Sequence, residues 1–183
     1  MSMSEPTTYD VVLLVEQPLS AEDAAQVRSL HGDVEDPVRY HVLLPVEDAS
    51  ARVESAMGSL ATGEVLSTPA VAVGDADIEG LRNELLNTCR ESVNTTIEAI
   101  ETAGGKALGD PVTNDPIRAL VTKVSEVDAR EVIILTRPHV VSEFFHVDWT
   151  SRARRRLGVP VLHLLEHETF DEQAGEGEGI SGF

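Results

Sequence analysis

The sequence predicts an α/β fold: a single doubly wound, five-stranded parallel sheet with helices on both faces. Three observations predict it. The apolar runs Val132 to Leu135 and Val159 to Leu165 are too continuous for a half-exposed sheet and suit strands buried on both faces. Between them stand a long loop, a helix and a Gly158-Val159-Pro160 corner, the layout of a crossover between parallel strands. Apolar runs and helical stripes alternate along the rest of the chain, and right-handed crossovers wind such an alternation into one sheet.

The elements follow in order. Residues 1–6 read as a flexible lead-in and 169–183, acidic and glycine-rich, as a flexible tail, leaving one domain over 7–168. Val11 to Val15 is a buried strand. Ser20 caps a helix running to about Leu30, with Ala24, Val27 and Leu30 on one face and Gly32 ending it. Val38 to Val46 is a second strand, broken up by His41 and Pro45; Ala49 to Leu60 reads as a short helix and Gly63 to Gly74 as a loop. From Asp75 to Ala103, apolar residues at Ile78, Leu81, Leu85, Cys89, Val93, Ile97 and Ile100 mark an amphipathic helix stopped by Gly104-Gly105. Lys106 to Gly109 is a weak strand. Asp115-Pro116 supplies an N-cap and a first-turn proline for the stripe Ile117, Leu120, Val121, Val124, Val127. In the last helix Phe145, Trp149, Ala153 and Leu157 recur at fours, so the lone tryptophan belongs to the core.

Composition narrows the function classes. The 183 residues carry 32 acidic against 14 basic side chains, a formal charge of -18. Such a surface repels phosphate backbones and anionic membranes, which argues against a nucleic-acid or membrane partner. The basic cluster Arg152, Arg154, Arg155 and Arg156 reads as a solvated helix face complementing the helix C-terminus rather than as an anion patch. A single cysteine, Cys89, excludes an internal disulfide and a thiolate metal site. No stretch near Met1 has the basic lead or apolar length of a signal or a span, and a cytoplasmic location is expected.

Gly109-Asp110-Pro111 ahead of Asp115-Pro116-Ile117, together with the closing Leu157-Gly158-Val159-Pro160-Val161-Leu162, resembles the universal stress protein superfamily over roughly residues 9–165. The resemblance implies an adenine nucleotide α-hydrolase-like sheet of strand order 3-2-1-4-5, a role in stress response, a Gly-Asp-Pro turn after the third strand, and ligand at the carboxyl ends of the strands. Members that hold ATP carry Gly-x2-Gly-x9-Gly-Ser/Thr after the fourth strand, where glycines let backbone amides reach the phosphates. An ungapped comparison anchored on Pro160 sets Ile134, Arg137, Val147 and Asp148 on the three glycines and the hydroxyl. No glycine occurs between Gly109 and Gly158, and Asp148 brings a carboxylate to a phosphate position. Glu16 matches in type the family's acidic residue on the first strand. The implied protein has lost ATP binding in the family manner and has no cofactor.

The polar residues Arg137, His139, His146 and Asp148 form the dense cluster of the loop after the fourth strand and, with Glu16, make the candidate pocket. His and Asp could act there as base and orienting acid, and Arg137 could hold an anion. Alternatively Asp148 supports a helix N-terminus and the histidines are solvated; no nucleophile accompanies them in the sequence. His163, Glu166, His167 and Glu168 carry zinc-ligand chemistry, but His163 falls on a strand and His167 beyond its end, so no metal is expected. Asp110 and Glu16 resemble receiver-domain acids without the second acid or the lysine. A P-loop, a dinucleotide fingerprint, a nucleophile elbow and HExxH are all missing. The expectation is a non-enzymatic regulatory or interaction module. The alternative is a small-molecule or anion binder, nucleotide-binding or weakly hydrolytic, built on the loop after the fourth strand. Val159 to Leu165, an edge in the implied order and free of lysine, is expected to pair two copies into a homodimer.

Overall fold

A computed structural model describes residues 8–46, 75–136 and 156–165. These hold β1 (Tyr9–Val15), α1 (Ala21–Ser29), β2 (Val38–Pro45), α2 (Asp75–Thr102), β3 (Lys106–Val112), α3 (Pro116–Val127), β4 (Glu131–Thr136) and β5 (Val161–Leu165). Every pairing is parallel, and the sheet order is β3-β2-β1-β4-β5. The predicted fold class and strand order both hold. The helix expected at Ala49 to Leu60 and the Gly63 to Gly74 loop lie outside the described residues, as do Phe145, Trp149 and Ala153.

Strand alternation explains the continuous apolar runs. Val11, Leu13 and Val15 of β1 join Tyr40, Val42, Leu44, Ile133 and Leu135 in a core shared with Ala24 and Val27 of α1 and Cys89, Val93 and Ile100 of α2. Val12 and Leu14 point the opposite way, with Leu43, Val132, Ile134 and Val161, against Leu120 and Val124 of α3 and Leu157. A strand with helix on both faces needs apolar residues at every position.

The caps follow the sequence closely. The Ser20 Oγ accepts from the Asp23 amide at 3.1 Å and donates to the Asp23 carboxylate at 2.6 Å. Asp115 accepts from the Arg118 amide at 2.8 Å, with Pro116 opening α3. Gly104, at φ 84, closes α2, and the Gly105 amide reaches the Ile100 carbonyl at 2.9 Å.

Four local expectations need correction. β2 runs unbroken, because His41 is buried against Asp10 and Pro45 is the strand's final residue. β3 continues through Gly109-Asp110-Pro111, which is strand and not turn: Val42, Leu43 and Leu44 pair with those three residues. The Val112 carbonyl accepts from the Val46 amide at 2.8 Å, so parallel-ladder alternation sends the Pro111 nitrogen to the outer edge, where no donor is needed. α1 stops at Ser29 through an αR cap at Leu30, and Gly32 supplies no left-handed residue. β5 starts at Val161 rather than Val159, since Gly158, at φ 67, turns the chain just before it.

Candidate functional site

In a sheet of this order the crossovers reverse direction between β1 and β4, and ligands sit at the carboxyl ends of such neighbours. Val15 pairs with Leu135, so Glu16 and Thr136 are the residues that follow the last pair of the crevice. Glu16 is half-buried there. The loop behind it is pinned from below: the Leu19 amide donates to Thr96 Oγ1 of α2 at 3.2 Å, and Thr96 is itself fully buried. Arg137, His139, His146 and Asp148 lie outside the described residues, so Glu16 alone of the candidate pocket residues is placed.

Beside the crevice, across β4 and β5, stands a pair that sequence reading missed. Thr136 is buried at the end of β4, and its Oγ1 stands 2.8 Å from Nε2 of His163 on β5. Register explains the meeting: Ile134 pairs with His163 and Thr136 with Leu165, so the two side chains are diagonal neighbours on one face. Burial pushes the His163 pKa down, favouring neutral imidazole. The position of Ile134 also corrects the ungapped comparison. Ile134 is inside β4 and 1% exposed, so it cannot be the glycine of a loop that follows the strand. The strand end falls at Thr136, two residues on.

A second polar group sits at the opposite, amino-terminal end. Asp10 Oδ1 accepts from Arg39 Nε at 2.7 Å and from His41 Nε2 at 2.6 Å. Burial alone would raise the Asp10 pKa, but the hydrogen bonds and charges of Arg39 and His41 together hold it below the usual carboxylate value. Nδ1 of His41 is buried without a hydrogen-bond partner. Beside it, His31 bonds Glu131 through Nε2 and the Tyr40 hydroxyl through Nδ1, the latter at 2.8 Å. Burial pushes the Tyr40 pKa up to about 12. These groups tie the end of α1 to the starts of β1, β2 and β4. The signal available in the sequence was polar residues at period two, Arg39 and His41, inside an apolar strand.

Among the described residues no group of three His, Cys, Asp or Glu side chains could hold a metal ion. His163 does lie on its strand; Glu166, His167 and Glu168 fall outside the described residues, as do Arg152, Arg154 and Arg155, while Arg156 is exposed. Cys89 is buried with its thiol against the Leu44 carbonyl, and burial raises its pKa, which makes it a poor nucleophile. A cavity of about 270 Å³ opens between β3 and α3, lined by Leu43, Asp110, Asn114 and Lys123 among others, away from the β1–β4 crevice. No helix among the described residues is long and apolar enough to cross a membrane.

No protein-family model and no curated protein matches the sequence. Solved structures do match. Hypothetical protein MJ0577 aligns over 89% of this chain and 100% of its own, at a TM-score of 0.56 and 13% identity. The universal stress protein UspA from Lactobacillus plantarum aligns over 86% and 99%, at 0.52 and 12%. Hypothetical protein PH0823 aligns over 86% and 97%, at 0.52 and 15%. The chain has the fold found in the universal stress proteins.

Proposed function

We propose that this chain is a universal-stress-protein-like regulatory or interaction module of the cytoplasm that does not hold ATP in the family manner. One observation carries the reading. A phosphate cradle needs exposed backbone amides after β4, and here that strand ends in a buried threonine tied to His163, with no glycine from 110 to 157. A segment without glycine lacks the residue type that lets backbone amides approach phosphates most closely, and the formal charge of -18 adds a long-range cost for a polyanion. Calorimetry with Mg-ATP should give no saturable heat at physiological concentrations. A dissociation constant in the low micromolar range would overturn the reading.

Assembly belongs to the same proposal: a homodimer through β5. Among the described strands, β3 and β5 stand at the two ends of the order. β3 carries Lys106, Asp110 and the outward Pro111, three devices that blunt an edge. β5, Val-Leu-His-Leu-Leu, has no lysine and no proline. Apolar side chains rather than free backbone groups would carry that contact across a two-fold axis, because Val161, His163 and Leu165 already have partners. The alternative, a small-molecule or anion binder using Glu16, Arg137, His139, His146 and Asp148, would show itself as a ligand retained in native mass spectrometry.

A further inference from the structure

We propose that Thr136 is a site of covalent acylation, with His163 as the base that activates its hydroxyl. The inference goes beyond the module reading, because it assigns chemistry to a crevice that reading leaves without a ligand.

The geometry carries it. A weak hydroxyl nucleophile needs a base within hydrogen-bond reach, about 2.6–3.2 Å. Thr136 Oγ1 and His163 Nε2 are 2.8 Å apart, on adjacent parallel strands whose register fixes both side chains on one face. The pair stands at the carboxyl end of β4, beside the β1–β4 switch point where such sheets receive small molecules. Burial favours neutral imidazole, the form able to take a proton. Cys89, a thiol buried in the core, stands against the Leu44 carbonyl and has a pKa raised by burial.

The step balances without an added reagent. Thr136 Oγ1 attacks the carbonyl carbon of an ester, and its proton passes to His163 Nε2. The tetrahedral intermediate expels the alcohol or phenol oxygen, which takes that proton from His163. The products are an acylated Thr136, neutral His163 and the free alcohol. The donor is a small uncharged ester: Thr136 is only 5% exposed, which limits its size, and the acidic surface disfavours anions. The same burial keeps water from the new ester, so one acyl group per chain accumulates and turnover is minimal. The module is marked rather than made into a hydrolase.

4-Nitrophenyl acetate is the probe. The expected result is a single burst of nitrophenol, one acetyl group per chain, and tandem mass spectrometry placing it on Thr136. Thr136→Ser should keep the adduct and Thr136→Val lose it. His163→Gln should slow its formation by at least about 100-fold, the usual weight of a positioned base. His163→Ala should recover part of the rate when imidazole is added. Acetyl on Lys106, Lys123 or the amino terminus alone, or no adduct, overturns the proposal. So does a Thr136 adduct whose rate ignores both His163 substitutions. Mapping on the unaltered chain decides the site even where a variant fails to fold, and ATP calorimetry is independent of either outcome.

Discussion

Replacing Gly109 by alanine tests the boundary of β3 most sharply. An added Cβ would stand 2.7 Å from the Val42 carbonyl oxygen, 2.8 Å from Val42 Cβ and 2.9 Å from Val93 Cγ1. The first two atoms belong to β2 and its backbone, which cannot rotate away. Val93 is on α2 and 2% exposed, so it has no free space to retreat into. Relief requires β3 to move off β2 by several tenths of an ångström, loosening a ladder that runs from Arg39 and Lys106 to Pro45 and Val112. Overpacking of this kind costs about 1–3 kcal/mol. Alanine's smaller unfolded-state entropy returns roughly 0.4–1 kcal/mol. The expected net is a loss of about 1–2 kcal/mol, read as a lower urea midpoint at unchanged slope. Gly80 is the control. It is exposed on α2 with nothing within 4 Å of a new Cβ, so Gly80→Ala should stabilise by up to about 1 kcal/mol. Equal, small effects at both sites would refute the reasoning and return Gly109 to a turn.

Asp10 has a depressed pKa, so its contribution is present above its ordinary value of 3.8 and is lost as pH falls through the lower folded value. Asp10→Asn should therefore be less stable than the parent by about 1.5–3 kcal/mol near pH 7, with the gap closing in strong acid; denaturant melts across pH decide it. Tyr40→Phe removes a hydroxyl that bonds His31 and leaves that imidazole nitrogen buried, which should cost about 1–3 kcal/mol in the same melts. The β5 dimer should tighten as salt screens two subunits of formal charge -18 each, and Leu162→Lys, at a side chain that also packs on the core, should abolish it in light scattering and lower the melting temperature; a monomer at every salt concentration places the interface elsewhere or nowhere.

What the sequence made legible is what repeats. The stripe from Ile117 to Val127, the stripe along α2 and the unbroken run in β1 each state a period, and each became the expected element. The caps at Ser20 and Asp115 are short-range chemistry within four residues. Gly109-Asp110-Pro111 misled because composition alone cannot show which side of an edge strand a proline nitrogen faces. The pairs Thr136–His163, Asp10–His41 and His31–Glu131 were illegible for a related reason. Each joins separate strands or helix ends, so only sheet register brings the partners together.

That register also sets the order of events on the ribosome. β1 lies at the centre of the sheet, yet its two neighbours emerge at very different times: β2 follows almost at once, whereas Val11 pairs with Glu131 and Val15 with Leu135. At about 5–20 residues per second the nascent chain holds one flank of β1, unpaired backbone groups along the apolar run Val11 to Val15, open for on the order of ten seconds. The first half therefore leaves the exit tunnel as a two- or three-stranded piece with a sticky margin, which makes it a substrate for a holding chaperone until β4 arrives to close the seam.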